Sequence, residues 1–74
     1  MAQFRDEKLL RKIAKRIKEL REERGLSQET VYHESDVHIA RIETAKFNVT
    51  VSTLSKLCDY FGITLSEFFK KIDK

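Results

Sequence analysis

Few residues in this chain have types and spacings suited to chemistry beyond hydrogen bonding. The two histidines, His33 and His38, stand five positions apart, off the i, i+4 spacing that brings two imidazoles to one metal on a helix. The single cysteine, Cys58, falls on an apolar helical stripe and is expected in the core, so neither a metal nor a cofactor is expected. No motif joins a serine, a histidine and an aspartate, no glycine-rich loop is shaped to cradle phosphate, and no pair of carboxylates is set for acid–base work. The chain is therefore not expected to be an enzyme, and no small-molecule ligand is indicated. What remains is recognition. Arg41 stands between Ile39 and Ile42, and on a helix that buries both isoleucines the arginine leaves by another face. There its planar guanidinium can fork to a guanine edge or to a phosphate. His38 and Thr44 share that short exposed face and join Arg41 as candidates for base contact.

These residues have to be held by helices. Leu10, Ile13, Ile17 and Leu20 recur at steps of three, four and three, which predicts a first amphipathic helix over residues 6–24 with its lysines and arginines largely off the stripe. Gly25 and Gly62 fall where apolar periods stop, the place for a left-handed helix-ending residue. Ser27 is set to cap a second, short helix over about 27–34, and Asp36 to cap a third over about 37–44. After a loop at Lys46-Phe47-Asn48-Val49, Thr50 caps a fourth helix whose apolar positions are Val51, Leu54, Leu57, Cys58 and Phe61. Thr64-Leu65-Ser66-Glu67 is a capping box that opens a fifth helix over about 64–72. No stretch alternates as a strand does, so the expected fold class is all-α.

Seventy-four residues make a single domain, 1–74, and a chain of that size buries only about 60% of its unfolded surface, so a second subunit would add useful stability. One cysteine excludes an internal disulfide, and no apolar run is long enough for a signal peptide or a membrane span. The expected location is the cytoplasm, with no membrane partner. The net charge of +3 suits a polyanion partner, but its distribution is uneven. Residues 1–26 carry nine Lys or Arg against five Asp or Glu, 27–44 carry one against four, and 45–74 carry five against three. An acidic middle between basic flanks leaves most phosphate attraction to the flanks.

Three stretches carry a resemblance: Ile17-Lys-Glu-Leu-Arg-Glu-Glu-Arg-Gly-Leu-Ser-Gln28, Ile39-Ala-Arg-Ile-Glu43, and Leu54-Ser-Lys-Leu-Cys-Asp-Tyr-Phe-Gly-Ile-Thr-Leu65. In that order they resemble the Cro/C1-type (XRE-like) helix-turn-helix family of phage repressors, antitoxins and restriction-modification controllers. The resemblance implies a compact five-helix lambda-repressor-like domain, with the helix-turn-helix at about 27–44 and helix three in the major groove of double-stranded DNA. It implies phosphate contacts from Gln28, Lys46 and Asn48, and a buried ion pair between Arg21 and Glu43. It also implies a homodimer built on helix five through Leu65, Phe68, Phe69 and Ile72, with Phe4 as a possible addition. The functional expectation is a transcriptional regulator reading an inverted repeat. A protein-interaction module, or an antitoxin-like partner-binding protein on the same fold, is the alternative. The chain departs from the family at its centre: it is about three residues shorter between Ser27 and Glu43. Tyr32 stands where a small alanine is common and Asp36 where the turn usually has glycine, and Ala45 and Asn48 replace the glycine and prolines common after helix three. Tyr32 is expected to fill the volume of the missing helical turn.

Overall fold

The computed structural model describes residues 5–72, and Phe4, expected near the dimer contact, lies outside them. Five helices follow one another: α1 Glu7–Glu23, α2 Gln28–Ser35, α3 Ile39–Glu43, α4 Val51–Phe61 and α5 Leu65–Ile72. The local signals explain most of the boundaries. Asp6 caps α1 by accepting from the Leu9 amide, Ser27 caps α2 through the Thr30 amide, and Thr50 caps α4 through the Thr53 amide. The Thr64–Glu67 box closes in both directions: the Thr64 amide donates to the Glu67 carboxylate at 2.8 Å and the Glu67 amide to the Thr64 hydroxyl at 3.0 Å. The bond from the Thr64 amide, with the Thr64 hydroxyl beside it, holds the Glu67 carboxyl below the usual carboxylate range. Gly62 ends α4 at φ 76, a left-handed conformation that costs glycine nothing.

The turn between α2 and α3 differs from expectation. Asp36 does not cap α3; it adopts φ 62 as the left-handed C-cap of α2, its amide donating to the Tyr32 carbonyl. Aspartate suits both tasks, being a good N-cap and one of the few residues that tolerate the left-handed region. The direction the chain must take to bury Val37 and Ile39 decides between them. His38 becomes the N-cap of α3 without a side-chain capping bond, and the helix begins at Ile39 rather than Val37. Ser35 makes the tight turn possible from within: its buried hydroxyl donates to the Val31 carbonyl at 2.7 Å and accepts from the Val37 amide at 3.2 Å.

The apolar stripes converge on one core: Ile13, Ile17 and Leu20 of α1, Val31 of α2, Ile39 and Ile42 of α3, Leu54, Leu57, Cys58 and Phe61 of α4, and Phe68 of α5. Burial, with the charge of neighbouring Asp59 adding to it, raises the pKa of the Cys58 thiol, as expected of a core residue. Val51 is the exception among the apolar positions assigned to α4. It opens the helix and is 72% exposed, because a first-turn side chain extends past the body it packs on. Arg24 fastens the C-termini of α1 and α4, donating to the Leu20 carbonyl at 3.1 Å and to the Phe61 carbonyl, one of those the helix end leaves without an intrahelical partner, at 2.7 Å. The Tyr60 hydroxyl of α4 donates to Glu34 of α2. Helix α1 packs against α3 and α5, α2 against α3 and α4, and α4 against α5, so α3 is braced from two sides.

Candidate nucleic-acid interface

Short α3 is held by a network that begins on α1. Arg21 donates through Nε and Nη2 to the two oxygens of Glu43, at 2.7 and 3.0 Å, and through Nη1 to the Leu26 carbonyl at 2.8 Å. The two side chains are only 12% and 6% exposed, and the bidentate geometry is the strongest form this pair can take. The bonds to Glu43 raise the pKa of the Arg21 guanidinium against the opposing effect of its burial. Gln28, the first residue of α2, adds a third donor, with Nε2 2.9 Å from Glu43 Oε1. One carboxylate thus ties three helices together and fixes the orientation of α3.

Arg41 lies on the open side of that helix. It is exposed, and its side chain makes no hydrogen bond or ion pair among the described residues. His38 is exposed at the start of the same helix, and its ring stacks on Tyr32 with centroids 4.4 Å apart. Tyr32 is 37% exposed, so it does not fill core volume as expected; it covers the turn from outside. Thr44 is committed to the turn: its hydroxyl donates to the Arg41 carbonyl at 2.6 Å and accepts from the Lys46 amide at 3.2 Å, leaving it no proton for a base. Ala45 follows at φ 64 and turns the chain so that Lys46 is exposed beside α3. Gln28, at the start of α2, keeps its side-chain oxygen and one amide proton beyond its bond to Glu43. Asn48 is half-buried, and it lines a groove with Leu9, Val49 and Val51.

Two arginines at the front of the molecule were missed by the sequence reading. Arg5 donates to the Lys46 carbonyl at 3.2 Å, and a groove of about 390 Å³ lined by Arg5, Glu7, Arg11, Thr44, Ala45 and Lys46 puts Arg5 and Arg11 beside the loop after α3. Only a count of basic residues in the first third pointed toward them, because Arg5 and Lys46 are 41 positions apart in the chain.

On the dimer face, Phe68 is fully buried in its own subunit, which corrects its assignment to an intersubunit contact. Leu65, Phe69 and Ile72 are half-buried and pack against the edge of the core. Among the described residues no group of three His, Cys, Asp or Glu side chains stands close enough to hold a metal, and no helix is long and apolar enough to cross a membrane.

Comparison with known proteins matches the helix-turn-helix family model over residues 17–68, which runs from the middle of α1 into α5 and includes every element around α3. The chain belongs to the Cro/C1-type helix-turn-helix family. This XRE-like family is one of DNA-binding transcriptional regulators. The chain is 40% identical over 63 residues to the HTH-type transcriptional regulator PuuR of Escherichia coli (strain K12), a match covering 81% of this chain and 34% of PuuR. It thus spans about a third of that regulator's length. It is also 40% identical over 63 residues to the control protein C.MunI of a Mycoplasma species, covering 80% of this chain and 85% of that protein. Within this helix-turn-helix frame, α2 and α3 form the bihelical unit, and the exposed side of α3 carries Arg41 between the two anchored isoleucines.

Proposed function

We propose that the protein is a cytoplasmic, sequence-specific transcriptional regulator, one domain over residues 1–74, that binds an inverted-repeat operator as a homodimer. The observation that carries this reading is Arg41: a free, exposed guanidinium on a helix whose other long side chains are all anchored, with Ile39 and Ile42 in the core and Glu43 in the ion pair. Arg41 is the base-contacting residue, with His38 beside it. Thr44 contributes through the shape of its turn and any bond its hydroxyl can still accept. Lys46, Gln28 and Asn48 take phosphates, and Arg5 and Arg11 extend the positive field along the same side. The half-buried faces of Leu65, Phe69 and Ile72 supply the apolar part of the two-fold contact.

Selection of bound duplexes from a random pool tests the reading, followed by sedimentation of the free protein. The expected product is an inverted repeat with half-site centres roughly 34 Å apart, one helical turn, because two recognition helices related by a two-fold axis approach one face of the duplex. The expected mass is that of a dimer at tens of micromolar, an order-of-magnitude choice for a weak contact. A pool without enrichment would defeat the DNA reading, and a monomer mass would defeat the dimer.

The short α3 and the acidic residues around it, Glu29, Glu34 and Asp36, favour a second reading, a protein-interaction module or antitoxin-like partner-binding protein on the same fold. Heparin chromatography separates the two. A domain without a phosphate-binding face elutes at low salt, and a DNA-binding one is retained.

A further inference from the structure

Helix α3 has little of its own with which to read a base pair. Of its five residues, Ile39 and Ile42 are buried, Glu43 is locked to Arg21 and Gln28, and Ala40 ends in a methyl group, which leaves Arg41. One guanidinium discriminates one guanine, and a useful operator needs several base pairs discriminated.

A second set of groups stands at the N-terminal end of the same helix. Tyr32, from the middle of α2, lies against His38 with ring centroids 4.4 Å apart and planes inclined by 30°. Both rings are exposed, and neither the Tyr32 hydroxyl nor either His38 ring nitrogen has a hydrogen-bond partner among the described residues. The His38 side chain makes no capping bond to α3. His38 also lines a groove of about 210 Å³ with Arg41, Lys56 and Asp36, so the imidazole of the pair adjoins two cations and one carboxylate. An exposed imidazole free to rotate loses entropy when it is fixed against a ligand, whereas one already stacked loses less.

We propose that the stacked Tyr32–His38 pair is a base-reading element of this protein, standing in for the helical turn that α3 lacks. His38 presents a ring nitrogen to a base edge in the major groove. Tyr32 is a positioning residue that fixes the imidazole and offers its own ring to an apolar base edge such as a thymine methyl. The inference rests on the DNA-binding reading above.

The test compares wild type, Tyr32→Phe, Tyr32→Ala and His38→Ala by selection from a random duplex pool. Affinities are then measured for the best site and for sites changed at one position each. The quantity read is the ratio of affinities for two duplexes within one preparation, from which the folded fraction cancels. Should Tyr32→Ala melt below the assay temperature, Tyr32→Leu takes its place, keeping bulk but losing the stack. Tyr32→Ala and His38→Ala are both expected to flatten the preference at the same base pair of each half-site by about tenfold. Tyr32→Phe, which keeps the ring, is expected to retain that preference, and discrimination at the Arg41 position is expected to survive in all of them. An unchanged preference profile in both Tyr32→Ala and His38→Ala, or losses at different base pairs, overturns the inference while leaving the DNA reading intact. If wild type enriches no sequence at all, both fall together.

Discussion

Arg21 uses all three faces of its guanidinium, two on Glu43 and one on the Leu26 carbonyl, and Glu43 is the less exposed of the two partners. Replacing either leaves the other charged, desolvated and without its partner, so Arg21→Met or Glu43→Gln should each cost about 3 kcal/mol. Chemical denaturation measures this directly; midpoints unchanged within error in both variants would mean that the pair contributes nothing. The double substitution Arg21→Met with Glu43→Leu should be milder than the sum of the singles, since no buried charge is left behind. Such pairing was visible in the sequence only through the family resemblance. Nothing in the spacing of positions 21 and 43 announces it, because the two residues meet only once α1 and α3 have packed.

Among the elements, the helices were legible where the decisive signal is local. Ser27, Thr50 and the Thr64–Glu67 box act within three residues of themselves, and all three mark helix starts in the structure. Legibility failed where neighbouring elements choose between two local options. Asp36 is chemically fit for either side of the turn, and adjacent Phe68 and Phe69 are indistinguishable until the rotation of α5 about its own axis sends one into the core and leaves the other at its edge. The turn after α3 offers a prediction of its own. Ala45 holds φ 64, a region that penalises a Cβ by roughly 1–2 kcal/mol, while glycine enters it freely at some cost in unfolded-state entropy. Ala45→Gly should therefore raise stability by about 0.5–1 kcal/mol, read as a higher melting temperature. A lower melting temperature would show that the alanine methyl contributes more by packing than it costs by strain.

For the whole molecule, the fold brings basic residues from both flanks to one loop, with Glu7 among them. Residues far apart in sequence, Arg5 and Arg11 on one flank and Lys46 beyond α3, are gathered around the same loop, while Arg41 points from the acidic middle. The exposure of Arg41 was thus legible from its place between isoleucines, but not the approach of Arg5 and Arg11 to the loop after α3, nor the stacking of Tyr32 on His38. Salt titrations should separate the roles. Lys46→Ala should weaken binding to all duplexes alike and reduce the slope of log affinity against log salt by about 1 per subunit. Gln28→Ala should weaken binding without changing that slope, because its amide carries no charge and displaces no counterion. Equal slopes for wild type and Lys46→Ala would remove the lysine from the phosphate contacts.

The brevity of α3 has a consequence on the timescale of minutes to hours. Five residues are far fewer than the roughly 12–15 an isolated helix needs to persist in water, so α3 has no stability of its own. Its backbone order is inherited through Ile39, Ile42 and Glu43 from the core and from α1. Its hydrogen-bonded amides, from Arg41 onward, should therefore exchange with deuterated solvent only when the whole domain opens, with protection equal to that at the centre of α1 despite their nearness to the surface. In Arg21→Met the same amides should exchange faster than those of α1, through a local opening that releases α3 while the rest of the domain stays closed.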